Sequence, residues 1–157
     1  MIPQIKFYLL LRSDLPDLNF ITDKLQIEPN FSHHIGEPMS FSQRQHNHSS
    51  WGFGTDYEDS YDLNDQISVV YQKLLPVKDK LKNILKDNDI TATFESVIKM
   101  FGTQTAGIGL EKYIIDFASE LGIEFDFDMY LYTEEEAEEL KQLQKNEANK
   151  RINTDRG

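Results

Sequence analysis

Residues 110–132 read LEKYIIDFASELGIEFDFDMYLY, and the hydrophobic period changes inside this one stretch. Leu110, Tyr113, Ile114, Phe117, Ala118 and Leu121 share one stripe of a 3.6-residue repeat, which predicts an amphipathic helix. Gly122 follows, the residue best suited to the left-handed conformation that ends a helix. From Ile123 the period is two. Ile123, Phe125, Phe127, Met129 and Leu131 take one side of a strand, and Glu124, Asp126, Asp128, Tyr130 and Tyr132 take the other. A strand with one polar side belongs to a sheet with one open face. The strands of a doubly wound parallel sheet are apolar on both sides, so the alternation favours an antiparallel or mixed sheet over that architecture.

The rest of the chain extends the same pattern outward. Residues 89–101 form a strand with Ile90, Ala92, Phe94, Ile98 and Met100 on one face, and residues 4–12 another with Ile5, Phe7, Leu9 and Leu11. Pro16 suits a first helical turn, and Leu18, Ile21 and Leu25 stripe a short helix that ends before Pro29. Residues 30–50 are polar, with Gly36 and Pro38 marking a turn and a weakly patterned strand at about 39–44. Residues 51–57 form a strand whose glycines permit close approach. A helix follows, capped by Ser60 or Asp62 and carrying Leu63, Ile67, Val70 and Leu74; Pro76 interrupts it, and 77–86 continue it. Thr133 and Glu136 make a capping box for a last helix of about 134–150, with the thin apolar face Ala137, Leu140 and Leu143.

The resulting order β-α-β-β-α-β-α-β predicts an α+β fold, an antiparallel or mixed β-sheet with helices packed on one face. Residues 1–132 make a single domain, and 133–157 a charged helical tail, solvated and frayed at its end.

Charge and composition narrow the function. The formal net charge is −11, and residues 1–132 hold 20 acidic and 11 basic side chains, so the acidity belongs to the folded body. Such a surface repels phosphate backbones and favours basic partners, which argues against nucleic acid. There is no cysteine, which removes disulfides, thiol nucleophiles and thiolate-bound zinc. The one early apolar run, FYLLL at 7–11, is too short for a membrane span or a signal-peptide core, and the expected location is the cytoplasm.

Three constellations invite a chemical reading. His33, His34, His46 and His48 all fall in the polar segment, and His46 and His48 would share one side of an extended strand, as a metal-binding pair requires. Their setting, SQRQHNHSS, is that of a solvated loop with no nearby carboxylate. The loop GTQTAGIG at 102–109 spaces Gly102 and Gly107 as a Walker A motif does, yet Ile108 and Gly109 stand where lysine and a hydroxyl residue are needed. No nucleotide cofactor follows from it. Glu124, Asp126 and Asp128 form a carboxylate row, and because Tyr130 and Tyr132 extend it, it reads as a contact stripe and not as a catalytic pair. No nucleophile elbow or Ser-His-Asp arrangement is present, so no catalytic residue is assigned.

The assembled pattern resembles a bacterial family catalogued as domain of unknown function 4279. The likeness rests on IKFYLLLRS, DLNFITDKLQIEP, Gly36-Glu37-Pro38, the lone Trp51, the helix with LLP, and most closely GIGLEKYIIDFASELGIEFDFDMY, together spanning residues 4–132. The resemblance implies that Gly36, Pro38 and Trp51 hold fold-defining positions, Trp51 as a partly buried packing residue. It further implies that Leu110, Leu121, Gly122, Asp128 and Tyr130 belong to the final helix–strand unit. It brings no catalytic residues and does not include the histidines.

The sequence therefore points to a non-enzymatic interaction module, an immunity-type antidote to a basic toxin being one such role. Glu124, Asp126, Asp128, Tyr130 and Tyr132 are its expected partner surface, and the acidic loop Asp56–Asp65 is a rival. The alternative is a metal-binding protein or metal-dependent enzyme using the four histidines, and a third reading is a small-ligand binder with a pocket between the sheet and the Trp51 loop.

Overall fold

A computed structural model describes residues 1–154, with side-chain surroundings through residue 146. The chain runs β1 (Gln4–Ser13), α1 (Asn19–Leu25), β2 (Phe31–His33), β3 (Ser49–Gly54), β4 (Glu58–Asp59) and α2 (Leu63–Leu74). After a 3-10 turn at Leu75–Val77 come α3 (Lys78–Asp87), β5 (Thr91–Phe101), α4 (Lys112–Leu121), β6 (Glu124–Tyr132) and α5 (Glu134–Thr154). The strands form one mixed sheet in the order β2-β3-β1-β5-β6, with β4 paired to the start of β1. All pairings are antiparallel except β5 with β6. That exception follows from the chain, because a helix-bearing crossover, here through α4, returns a strand in its original direction.

The α+β expectation holds, with helices on one face of the sheet. Ile5, Phe7, Leu9 and Leu11 of β1, Ala92, Phe94 and Ile98 of β5, and Trp51 of β3 are buried under Leu18, Ile21, Leu63, Ile67, Leu81, Ile84, Ile114 and Phe117 of the helical layer. Phe94 lies at its centre, stacked on Phe7 at 5.1 Å and beside Phe117 and Phe125. Trp51 is wholly buried, not partly, and its indole Nε1–H donates to Thr22 Oγ1 at 3.0 Å. Burial of so large a ring is favourable only with that donor satisfied.

Local signals account for most boundaries. The Asp62 side chain accepts from Asn64 N–H and caps α2, while Ser60 Oγ donates to Asp65, so both expected capping residues take part. Gly122 ends α4 at φ +71°, and Gly36 turns the polar segment at φ +81°. Pro76 breaks the helix into α2 and α3 as anticipated.

Four further expectations change. Helix α1 begins at Asn19 instead of Pro16, because Ser13 Oγ accepts from Leu15 N–H and Asp17 Oδ1 from Asn19 N–H, winding the preceding residues into turns. The strand expected at 39–44 is the turn of a hairpin, closed by Met39 N–H to Arg44 O and Ser42 N–H to Met39 O. The strand in this region is β2, and β4 is a further two-residue strand. On β6, Met129 and Leu131 do not reach the core; Leu131 is 69% exposed, so the edge strand runs out past the helical layer. In α5, Thr133 and Glu136 form the expected capping box, but Ala137 is buried and Glu134 packs against Gly102, so the first turn docks on the domain. The expected fraying of the tail concerns an end outside the described residues.

Candidate binding face

Among the described residues, the side of the sheet away from the helices carries no helical layer. Strand alternation places Lys6, Tyr8 and Arg12 of β1, Glu95 and Lys99 of β5, and Glu124, Asp126, Asp128, Tyr130 and Tyr132 of β6 on it. The two-residue period thus brings the five predicted contact residues to one face, and the strand order adds company that the sequence did not reveal. Glu95 is the register partner of Asp126, and Val97 that of Asp128. Burial first, and then the charges of Asp126 and Asp128, push the Glu95 carboxyl above the usual carboxylate range against the pull of Arg12. Three acids therefore crowd one patch without a paired cation.

Aromatic rings bound the patch. Tyr130 Oη donates to Asp128 Oδ2 at 2.7 Å, and this bond raises the phenol's pKa. Tyr132 is less available than expected, being stacked on Phe101 at 5.3 Å. Tyr57 holds the Lys99 ammonium 3.8 Å from its ring centroid and the Lys6 ammonium at 5.9 Å, so both lysines of the face are drawn to aromatic rings and form no ion pair with a described carboxylate. Burial raises the pKa of Tyr57 and of Tyr8, aided by Asp128 and Glu95 respectively.

Across β1 the face becomes an aromatic row. Tyr8 meets Phe31 edge-on at 5.7 Å, Phe31 stacks on His33 at 5.8 Å, and His33 on His46 at 4.3 Å. Glycines make the room: a Cβ on Gly52 would lie 2.2 Å from the Phe31 ring, and one on Gly54 would lie 2.2 Å from Phe7 O.

The histidines do not converge. His33 and His46 are face to face, only 11° from parallel. A metal lies in the plane of the imidazole that binds it, so two stacked rings cannot share an ion in this arrangement. His48 Nδ1 is bonded to Asp14 Oδ1 at 2.8 Å, and His34 is engaged through its backbone N–H with Glu37, whose carboxylate this bond holds below the ordinary range. Among the described residues no group of three or more metal-ligating side chains is placed to hold an ion.

The other sequence candidates have structural employment. In the acidic loop, Asp59 pairs with Gln4, Asp62 caps α2 and Asp65 accepts from Ser60. In the glycine loop, Gly107 N–H donates to Tyr61 O and Gly107 O accepts from Leu63 N–H, which sews the loop to the start of α2.

A family model described as domain of unknown function (DUF4279) matches residues 3–132. The chain belongs to the DUF4279 family. The match begins just before β1 and ends with β6, so it takes in the whole sheet and excludes α5. No curated protein and no solved structure gave a significant match. No described helix is long and apolar enough to cross a membrane.

Proposed function

We propose that this DUF4279 protein is a bacterial, cytoplasmic, non-enzymatic interaction module that holds a basic protein partner against the open sheet face at β5 and β6. An immunity-type antidote to a basic toxin domain is the role this reading favours. The observation that carries it is the cluster of Glu95, Asp126 and Asp128, none of them in an ion pair with a described cation, flanked by Tyr57 and Tyr130; burial first, and then the two neighbouring acids, raise the Glu95 pKa. Like charges held together oppose folding, and a cationic partner relieves that opposition on binding. Tyrosines at the rim supply rigid amphipathic contact area. Glu124 extends the acidic stripe along the edge.

The test uses the full chain as bait in extract from its native host, beside an Asp126→Lys/Asp128→Lys variant. The expected result is retention of a basic protein that is released by raised salt and is lost with the charge-reversed bait. Identical retention by both baits would refute this surface.

A further inference from the structure

The far end of the open face has the opposite electrostatic character. The polar segment folds into a hairpin, held by Gly36 N–H to His46 O, His46 N–H to Glu37 O and Met39 N–H to Arg44 O. Between this hairpin and the end of β1 lies an open groove of about 700 Å³, within the size range of small-molecule sites. Its charged and titratable lining is Arg12, Arg44, His46 and His48, with no carboxylate.

That lining is unexpected on this chain, where acids outnumber bases 27 to 16 and only four arginines occur. The two arginines of the folded domain both face the same groove, and neither makes an ion pair with a described carboxylate. Elsewhere cations do find partners, as Lys78 and Lys82 do with Glu120. Asp14 and Asp89 share a second, smaller groove with Arg12 on its other flank, but neither is within ion-pair distance of it. Gln43, Gln45 and Asn47 also line the main groove, and their side-chain amides donate no hydrogen bond to any described residue. His48 is oriented from behind by Asp14. The groove is thus a collection of unused donors around two unpaired guanidinium groups.

We propose that this groove is a binding site for a small organic anion bearing carboxylate or phosphate oxygens. A guanidinium fork matches such oxygens two at a time, and the amides and imidazoles add single donors. The acidic body selects for compact ligands: an extended polyanion would meet the repulsion of the remaining surface, whereas an anion inside the groove is screened from it over a Debye length of about 8 Å. Arg12 also acts on Glu95 at the border of the acidic patch, but the groove's ligand is proposed independently of the partner proposed there.

The experiment is titration calorimetry of the full chain at about 0.15 M salt, with citrate, adenosine monophosphate and inorganic phosphate as probes. Citrate and the nucleotide distinguish carboxylate from phosphate recognition, and inorganic phosphate reports the anionic group alone. Saturable binding of at least one organic probe is expected, weakened about tenfold or more by Arg12→Gln and by Arg44→Gln. Lys24→Gln, on α1, should leave it unchanged. Thermal melts of the unliganded variants check that both remain folded. Absence of saturable binding by every probe, or equal binding by the Arg12→Gln/Arg44→Gln double variant, would overturn the proposal.

Discussion

Replacing Glu95 by glutamine tests the electrostatics of the acidic patch without reference to any partner. Glu95 is half-buried on β5, its register partner on β6 is Asp126, and burial and then the neighbouring acids raise its pKa. Neighbouring strands are about 4.8 Å apart. Two carboxylates at roughly 6 Å repel by about 0.7 kcal/mol in water and about 3 kcal/mol at an effective dielectric of 20. The patch is solvent-exposed on one side, so the screened end of that range applies, and Arg12 attraction is lost with the charge. A net stabilisation of about 1 kcal/mol at neutral pH results, which raises the melting temperature by about 2–4 °C in a chain of this size. The sign with pH follows from the raised pKa. The folded state binds the Glu95 proton more tightly than the unfolded chain does, so its penalty is absent at low pH. The penalty grows as pH rises past the unfolded value of about 4.3 and is complete above the folded value. The gain from Glu95→Gln should therefore vanish in acid, and at neutral pH it should shrink as salt screens the part due to Asp126 and Asp128. Urea unfolding of both proteins across pH and salt reads this directly. A neutral or destabilising substitution at pH 7 and low salt, or a gain that persists in acid, would refute the crowding.

The core and the glycines give further expectations. Trp51→Phe removes the donor to Thr22 and leaves a cavity, costing about 2–3 kcal/mol by denaturant unfolding. Gly54→Ala forces a Cβ onto β1 backbone and should cost about 3 kcal/mol or more, while Gly52→Ala displaces only the Phe31 ring and should cost less; equal losses would show that Gly54 is not the close-contact position.

What the sequence made legible was whatever repeats. The stripe of α4, the stop at Gly122 and the alternation of β6 identify themselves, because each rests on local periodicity within one segment. Even there, Met129 and Leu131 have inward parity but stay exposed, since strand length says nothing about how far the helical layer reaches. The polar hairpin escaped because its order comes from a few backbone hydrogen bonds, and β2 because three residues show no period. The contact row on β6 was visible as a row. Glu95 and Tyr8 were not, since they join it only through the strand order β1-β5-β6, which is a tertiary choice, and Tyr57 comes from the connection between β3 and β4. Arg12 and Arg44, 32 positions apart, meet a common groove for the same reason. The histidines drew attention by clustering in sequence, yet stacking and separate partners disperse their nitrogens.

The proposed contact surface is tested most directly by carboxyl-labelling footprints of the protein alone and in complex with a basic protein captured by the charge-dependent retention above. Asp126 and Asp128 should lose reactivity in the complex, while Asp79 and Asp116 on the helical side keep theirs. Protection of the helical carboxylates with Asp126 and Asp128 labelled as in the free protein would contradict the assignment of the open sheet face.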